Sequence, residues 1–222
     1  MLRSLGKIPV DVTVACSGGP DSMAILDFLM KGKKNVQVAY FDHDTPFGRH
    51  SAEWIHDFCL SHKLNLLSGK IERDRRDDES PEEFWRNERY KFLNKIDSHV
   101  ITGHHLDDAV EWWLFTAFHG KPRLIPSQNK NVIRPFLITS KDDIWDWIER
   151  KNVPHLIDPT NQDRKYARNR IRHEIVEEVL KINPGIRKTI KKKLIQQFSN
   201  PIYTMGEIAN VSRCSSSDSV RV

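Results

Sequence analysis

The sequence predicts an α/β fold, a parallel sheet with helices on both faces, followed by a basic helical extension. Three observations lead there. Short apolar runs rich in Val, Ile and aromatic residues alternate with longer stretches of helical character. A glycine-rich corner, Ser17-Gly18-Gly19-Pro20-Asp21-Ser22, separates the first such run from the first helix. From Asp158 onward the alternation stops and the chain becomes helical and basic.

Val10 to Cys16 reads as a buried first strand. Met23 to Lys31 is its crossover helix, with Gly32 expected just past the helix end in the role of a left-handed C′ residue. Asn35 to Phe41 is a second strand, ending in Asp42-His43-Asp44. Ser51 to His62 reads as a helix and Leu64 to Ser68 as a third strand. Glu72 to Glu79 is almost all charge, with nothing to bury, and reads as a mobile surface loop. Ser80-Pro81-Glu82-Glu83 starts a helix by two rules. Ser80 is an N-cap with Glu three residues later, and Pro81 takes the first helical position. That helix is expected to run to about Ile96. His99 to Thr102 is a fourth strand, and Gly103-His104-His105-Leu106-Asp107-Asp108 is a second strand-to-helix corner, opening a helix to about Phe118. Val132 to Pro135 is a fifth strand, and Ser140 caps a helix that ends near Lys151. The expected units are 1–157, an α/β domain; 158–198, the basic helical extension; and 199–222, a loosely ordered tail.

Composition narrows the function classes. The 222 residues suffice for one full core, with 38% hydrophobic and 29% charged residues. No apolar run approaches the ~20 residues that span a bilayer, and Met1 to Pro9 lacks the apolar centre of a signal peptide. Three scattered cysteines make no disulfide framework, so a cytoplasmic setting without a membrane is expected. The net charge of +5 permits a nucleic-acid partner without requiring one.

The first corner carries the chemistry. Glycines at a strand-to-helix turn let the backbone approach phosphates, and the helix N-terminus offers free N–H groups. Ser17 and Ser22 add hydroxyls. Asp21 would repel a bare phosphate and makes sense if Mg²⁺ lies between the two. The Walker lysine is missing, as is G-x-G-x-x-G. Ser-Gly-Gly-x-Asp-Ser resembles the pyrophosphate-binding loop of the N-type ATP pyrophosphatases. The second corner adds His105, Asp108 and Glu111 in one helical neighbourhood. In the basic half, Lys165, Arg168 and Arg172 fall at i, i+3, i+7 as one stripe, beside an apolar stripe of Ile171, Ile175 and Val179. Arg187-Lys188 and Lys191-Lys192-Lys193 follow, and phosphate contact is the expected use.

Five stretches in the same order resemble the tRNA(Ile)-lysidine synthetase family, within the PP-loop superfamily. They are the loop; Glu82, Arg86, Arg89 and Tyr90; Gly103 to Asp108 with Glu111; Ile133-Arg134-Pro135-Phe136; and Asp158 to Asp163 followed by Arg168-Asn169-Arg170-Ile171-Arg172. The resemblance covers about residues 10–190. It implies that ATP adenylates the C2 oxygen of a tRNA anticodon cytidine and that free lysine attacks C2 through its ε-amine, releasing AMP and leaving lysidine. ATP and Mg²⁺ are the implied cofactors, with tRNA and free lysine as partners. Site expectations follow. Ser17, Gly18, Gly19, Pro20, Asp21, Ser22 and His43 would hold the nucleotide, with Asp21 on the metal. Asp21, His105, Asp108, Glu111 and Asp158 would serve the reaction, and Arg168, Asn169, Arg172, Lys191 and Lys192 the RNA. After its second strand the chain departs from the family pattern His-x-x-His-Gly-Leu-Arg, where His43 and Arg49 are the matches. The C-terminal tRNA-binding domain of longer members is not in this sequence. Rival readings are tRNA thiolation, another PP-loop ligase reaction, or a nucleotide-binding module without turnover. Thiolation usually needs Cys-x-x-Cys, and none of the cysteines forms such a pair.

Overall fold

A computed structural model describes residues 1–159 and 167–199, with the side chains of Ala167 and Arg168 excepted. The expected sites at Arg168 and in the 199–222 tail therefore lie outside the described side chains, apart from Ser199 itself.

Strands β1 (Asp11–Ala15), β2 (Asn35–Asp42), β3 (Leu66–Lys70), β4 (Val100–Thr102), β5 (Gln128–Asn129) and β6 (Val132–Ile133) form one sheet in the order β3-β2-β1-β4-β6-β5. All pairings are parallel except β5 with β6. β5, an antiparallel edge of two exposed residues, was not foreseen, because so short and polar a segment has no periodicity to read.

Alternation along the strands divides the core into two faces. Val12, Val14, Val38, Tyr40 and Ile101 face the helices α1 (Pro20–Lys31), α2 (Pro46–Ser61) and α5 (Lys141–Lys151). Ala39, Val100 and Val132 face the other way, with α3 (Pro81–Leu93) contributing Leu93 and Tyr90. A further apolar cluster joins α4 (Leu106–Phe118) to the basic half: α6 (Ala167–Arg170), a π-helical turn (Ile171–Ile175), α7 (Val176–Ile182) and α8 (Ile186–Ser199). Leu106, Val110 and Leu114 of α4 meet Ile171, Val176, Ile186, Ile190 and Leu194 there.

The caps follow the sequence rules. Ser80 Oγ accepts from Glu83 N at 3.2 Å, and Ser140 Oγ from Asp143 N at 3.1 Å. Two local readings change. The left-handed residue after α1 is Lys33, at φ 56°, while Gly32 sits at φ −78°. And α2 begins at Pro46, five residues before Ser51, because Thr45 Oγ1 caps it by accepting from Gly48 N at 3.0 Å. The charged loop after β3 is irregular as expected, but it is fastened. Arg73 bonds Glu79 through two 2.8 Å contacts and Glu88 through a third, and its guanidinium lies over the Phe84 ring.

Candidate active site

Strand order reverses between β2-β1 and β4, so the crevice at the carboxyl ends of β1 and β4 is the topological switch point. Both glycine-bearing corners open there, and they touch. A Cβ on Gly103 would lie 3.3 Å from Ser22 N, so the β4–α4 turn passes directly over the first turn of α1. Gly18 holds φ 82°, and its carbonyl accepts from Leu156 N at 2.8 Å. The segment after α5 thus runs beside the loop and brings half-buried Asp158 to within two residues of that contact.

The loop is held by its own hydroxyls. Ser17 N donates to Ser22 Oγ at 3.2 Å, Ser22 Oγ donates to Gly19 O at 3.0 Å, and Gly19 N reaches Ser17 Oγ at 3.4 Å. Gly19 precedes α1 without any side-chain cap, and Pro20 begins the helix. The first-turn N–H groups are therefore presented to the crevice, where an anion is favoured. Asp21 projects from that turn with its Oδ1 buried and without a hydrogen-bond partner. Its nearest cation is His105 Nε2, 3.7 Å away and too far for a hydrogen bond.

His105 is buried at 4% exposure, at the start of α4. Burial opposes charge on its ring, but the carboxylates of Asp108, Asp21 and Asp107 outweigh it and push the imidazole up to about 9. Asp108 Oδ2 accepts from the His105 backbone N–H at 2.9 Å and lies 3.4 Å from its Nε2. Burial would raise the Asp108 carboxyl, yet His105, His104 and Arg172 hold it down at about 2.

The basic half supplies the remaining counter-charge. Arg172, on the π-helical turn, donates to Glu111 Oε2 at 2.8 Å and to Asp108 Oδ1 at 3.0 Å. Arg187, in the first turn of α8, donates to Asp107 Oδ1 at 2.8 Å, while Asp107 Oδ2 accepts from Lys141 N at 2.8 Å. Arg172, expected on an RNA-facing stripe, turns its guanidinium onto the carboxylates of Asp108 and Glu111. The acids of α4 are correspondingly a compensated cluster. Sequence spacing could not reveal either fact, because the partners are 61 and 64 residues apart. Lys191 and Lys192 remain on the solvent side of α8, half-buried and exposed respectively, and Asn169 is half-buried on α6.

Asp42 and Asp44, at the end of the second strand, are turn formers. Asp44 N donates to Asp42 Oδ1 at 2.8 Å, and Asp44 takes φ 55°. His43, between them, packs against Phe41 and Trp85. Burial, then the nearby Arg89 charge, pushes it down to about 4, so its ring is neutral.

Beside His104 lies a small cavity of about 60 Å³, lined by Arg86, Arg89, Tyr90, His104, Trp112 and Arg134 among others. Arg134, 2% exposed, donates to Tyr90 Oη at 2.6 Å and to Pro126 O at 2.7 Å, and its buried Nε has no partner. Arg86 stacks over both Tyr90 and Trp112. Motif resemblance pointed to Arg86, Arg89, Tyr90 and Arg134, but their closure around one space, with Trp112 as a wall, was not legible.

Fold and site together define an α/β protein with a glycine-rich strand-to-helix loop at its switch point and acids and arginines gathered beside it. Comparison with known proteins narrows the class. A model of the PP-loop domain matches residues 6–179, and the chain belongs to that family. It is 31% identical to a tRNA(Ile)-lysidine synthase of Mesoplasma florum, over 82% of this chain and 49% of that protein. Against one of Persephonella marina it is 29% identical, over 79% of this chain and 42% of that protein. The chain thus spans about half the length of the curated relatives it matches. Among solved structures, the U34-tRNA thiolase of Methanococcus maripaludis superposes with a TM-score of 0.69 at 16% identity, covering 89% of this chain and 76% of that one, which supports the fold. No helix among the described residues is long and apolar enough to cross a membrane.

Proposed function

We propose that the chain is an ATP-dependent tRNA-modifying ligase of the lysidine-forming kind. The observation that carries this reading is the junction of the two corners: a phosphate-ready loop, an unpartnered Asp21 oxygen, and the His105–Asp108–Glu111 cluster within one crevice. The relatives named above supply the reaction class.

In this reading Ser17, Gly18, Gly19, Pro20 and Ser22 cradle the pyrophosphate portion of ATP on the α1 N-terminus. The orphaned Asp21 Oδ1 fits a divalent cation bound mainly by phosphate oxygens, since no group of three or more potential ligands occurs among the described residues. Mg²⁺ there would neutralise charge on the departing pyrophosphate. His105, charged and fixed, adds positive potential beneath the loop and orients Asp21. His43, neutral against aromatic rings, borders the nucleotide without adding charge.

The tRNA cytidine would present its C2 oxygen to the α-phosphate, and lysine would then attack C2. A lysine ammonium seeking Asp108 and Glu111 must compete with Arg172, which already holds both. Asp158, beside the loop, is the alternative for that contact or for taking the ε-proton. The arginine-lined cavity suits the anionic or planar part of a substrate. Lys191, Lys192, Asn169 and Arg168 are the proposed tRNA contacts.

The test is incubation with ATP, Mg²⁺, labelled lysine and total tRNA, alongside ATP–pyrophosphate exchange. Label entering RNA, and its loss in Asp21→Ala with the fold retained, is the expected result. Product only with a sulphide source, equal use of ornithine, or no exchange at all overturns the reading.

A further inference from the structure

Two segments at opposite ends of the described chain contain no acidic residue: Met1 to Val10, and Asn183 to Ser199. The fold lays them side by side. Leu5 joins Ile186, Ile190 and Leu194 of α8 in one buried cluster. Gly6 lies against the Phe198 ring so closely that a Cβ there would come within 2.5 Å of it. Leu5 N donates to Pro135 O at 2.6 Å, which fixes the arm against the body.

Helix geometry then places the charges. Ile186, Ile190 and Leu194 form the buried line of α8. Arg187, Lys191 and Phe198 stand at i, i+4 and i+11, so they share one flank beside that line. Arg187 at the head of that flank is engaged by Asp107. Phe198 at its foot meets the arm, so Lys191 lies between the site and exposed Lys7. Lys188 and Lys192, one turn apart, continue the charge around the exposed side.

Like charges so placed repel, and elsewhere the chain relieves such charge locally: Lys31 pairs with Asp27, and Lys181 with Glu178. Among the described residues none of Lys7, Lys188, Lys191 and Lys192 has a carboxylate partner. Arg3 differs, because its segment borders the acidic first turn of α5, where the N-terminal ammonium pairs with Asp143 at 3.0 Å.

We propose that Lys7 of the N-terminal arm and Lys188, Lys191 and Lys192 of α8 form one composite surface for the phosphate backbone of the tRNA. This rests on the functional reading above and extends it: the arm, remote in sequence, becomes part of the RNA interface. The surface adjoins the crevice through Arg187 and Asp107, so a strand tracked along it leads toward the switch point. Spaced cations without acids suit a polyanion of regular charge spacing.

The test is tRNA binding to the full chain against salt concentration, comparing Lys7→Glu, Lys188→Glu with Lys192→Glu, and Lys95→Glu, an exposed lysine just after α3, as control. Each lost phosphate contact is expected to lower the log–log salt slope by about one unit. Lys7→Glu should show this, with the thermal midpoint unchanged. If the α8 pair weakens binding and Lys7→Glu matches the control, the composite surface is wrong while the tRNA reading survives. If the unaltered chain binds anionic vesicles or an acidic protein but no tRNA, both fail. If tRNA binds through Lys7 but no lysine enters it, the surface stands and the reaction does not.

Discussion

His105 and His43 lie at the same carboxyl edge of the sheet, after β4 and β2, and their surroundings push them in opposite directions. His105 is wrapped by carboxylates that outweigh its burial and hold it charged. His43 sits among aromatic rings, where burial and then the Arg89 charge hold it neutral. The same contrast runs through the two sides of the crevice. On the α4 side, acids are buried and answered by Arg172 and Arg187 from the basic half. On the α3 side, Arg86, Arg89 and Arg134 gather around Tyr90. One side is organised by ion pairs, the other by cation–π contacts and a neutral histidine.

The largest expected effect comes from breaking the acidic side. Arg172→Ala takes the ion pair from Glu111, only 2% exposed, and leaves Asp108 to His105. It should cost about 3–5 kcal/mol in denaturant unfolding, because an uncompensated buried charge is left behind. A loss below about 1 kcal/mol would mean that Arg172 is an idle surface charge. Lysine at high concentration should recover part of the lost stability if those carboxylates accept an ammonium.

Next in size is the pH dependence, which separates the two histidines by sign. His105 is raised in the fold from 6.5 to about 9, so its contribution is fully present below pH 6.5 and disappears as pH rises through 9. His43 is lowered from 6.5 to about 4, so its contribution is present above pH 6.5 and disappears as pH falls through 4. Each is worth on the order of 3 kcal/mol. Urea unfolding from pH 4 to 9 should show His105→Gln flattening the alkaline limb alone and His43→Gln the acidic limb alone. A shared limb would dissolve the contrast.

The smallest effect sharpens the arginine side. Tyr90→Phe removes the 2.6 Å bond from Arg134 and should cost about 1–2 kcal/mol, a buried hydrogen bond to a charged group. The ring remains for Arg86 and Arg89, so the cavity should keep its shape, and substrate affinity should change less than in Arg86→Ala. Equal losses of affinity in the two variants would show that the hydroxyl, and not the ring, organises this side.

Much of this was legible before any coordinates. Ser80 and Ser140 capped the helices their spacing assigned them, and the two strand-to-helix corners fell where glycine and strand ends indicated. Those signals are local: a cap or a tight turn is decided within a few residues. Local signals also misled at two turns. Lys33 took the left-handed position assigned to Gly32, and Asp42 and Asp44 used their carboxylate and backbone to make a turn.

By itself, then, the sequence determined the alternation of strands and helices, the phosphate-ready loop and the basic character of the last third. Each is written in periodicity, glycine placement or charge over a short stretch. The tertiary structure alone decided the pairing of charges. Whether Arg172 faces RNA or Glu111, whether Asp108 is free or held, and whether the N-terminal arm joins α8 all depend on contacts between distant segments. Charge interactions fall with distance and with solvent access, and both are set only when the sheet brings those segments together.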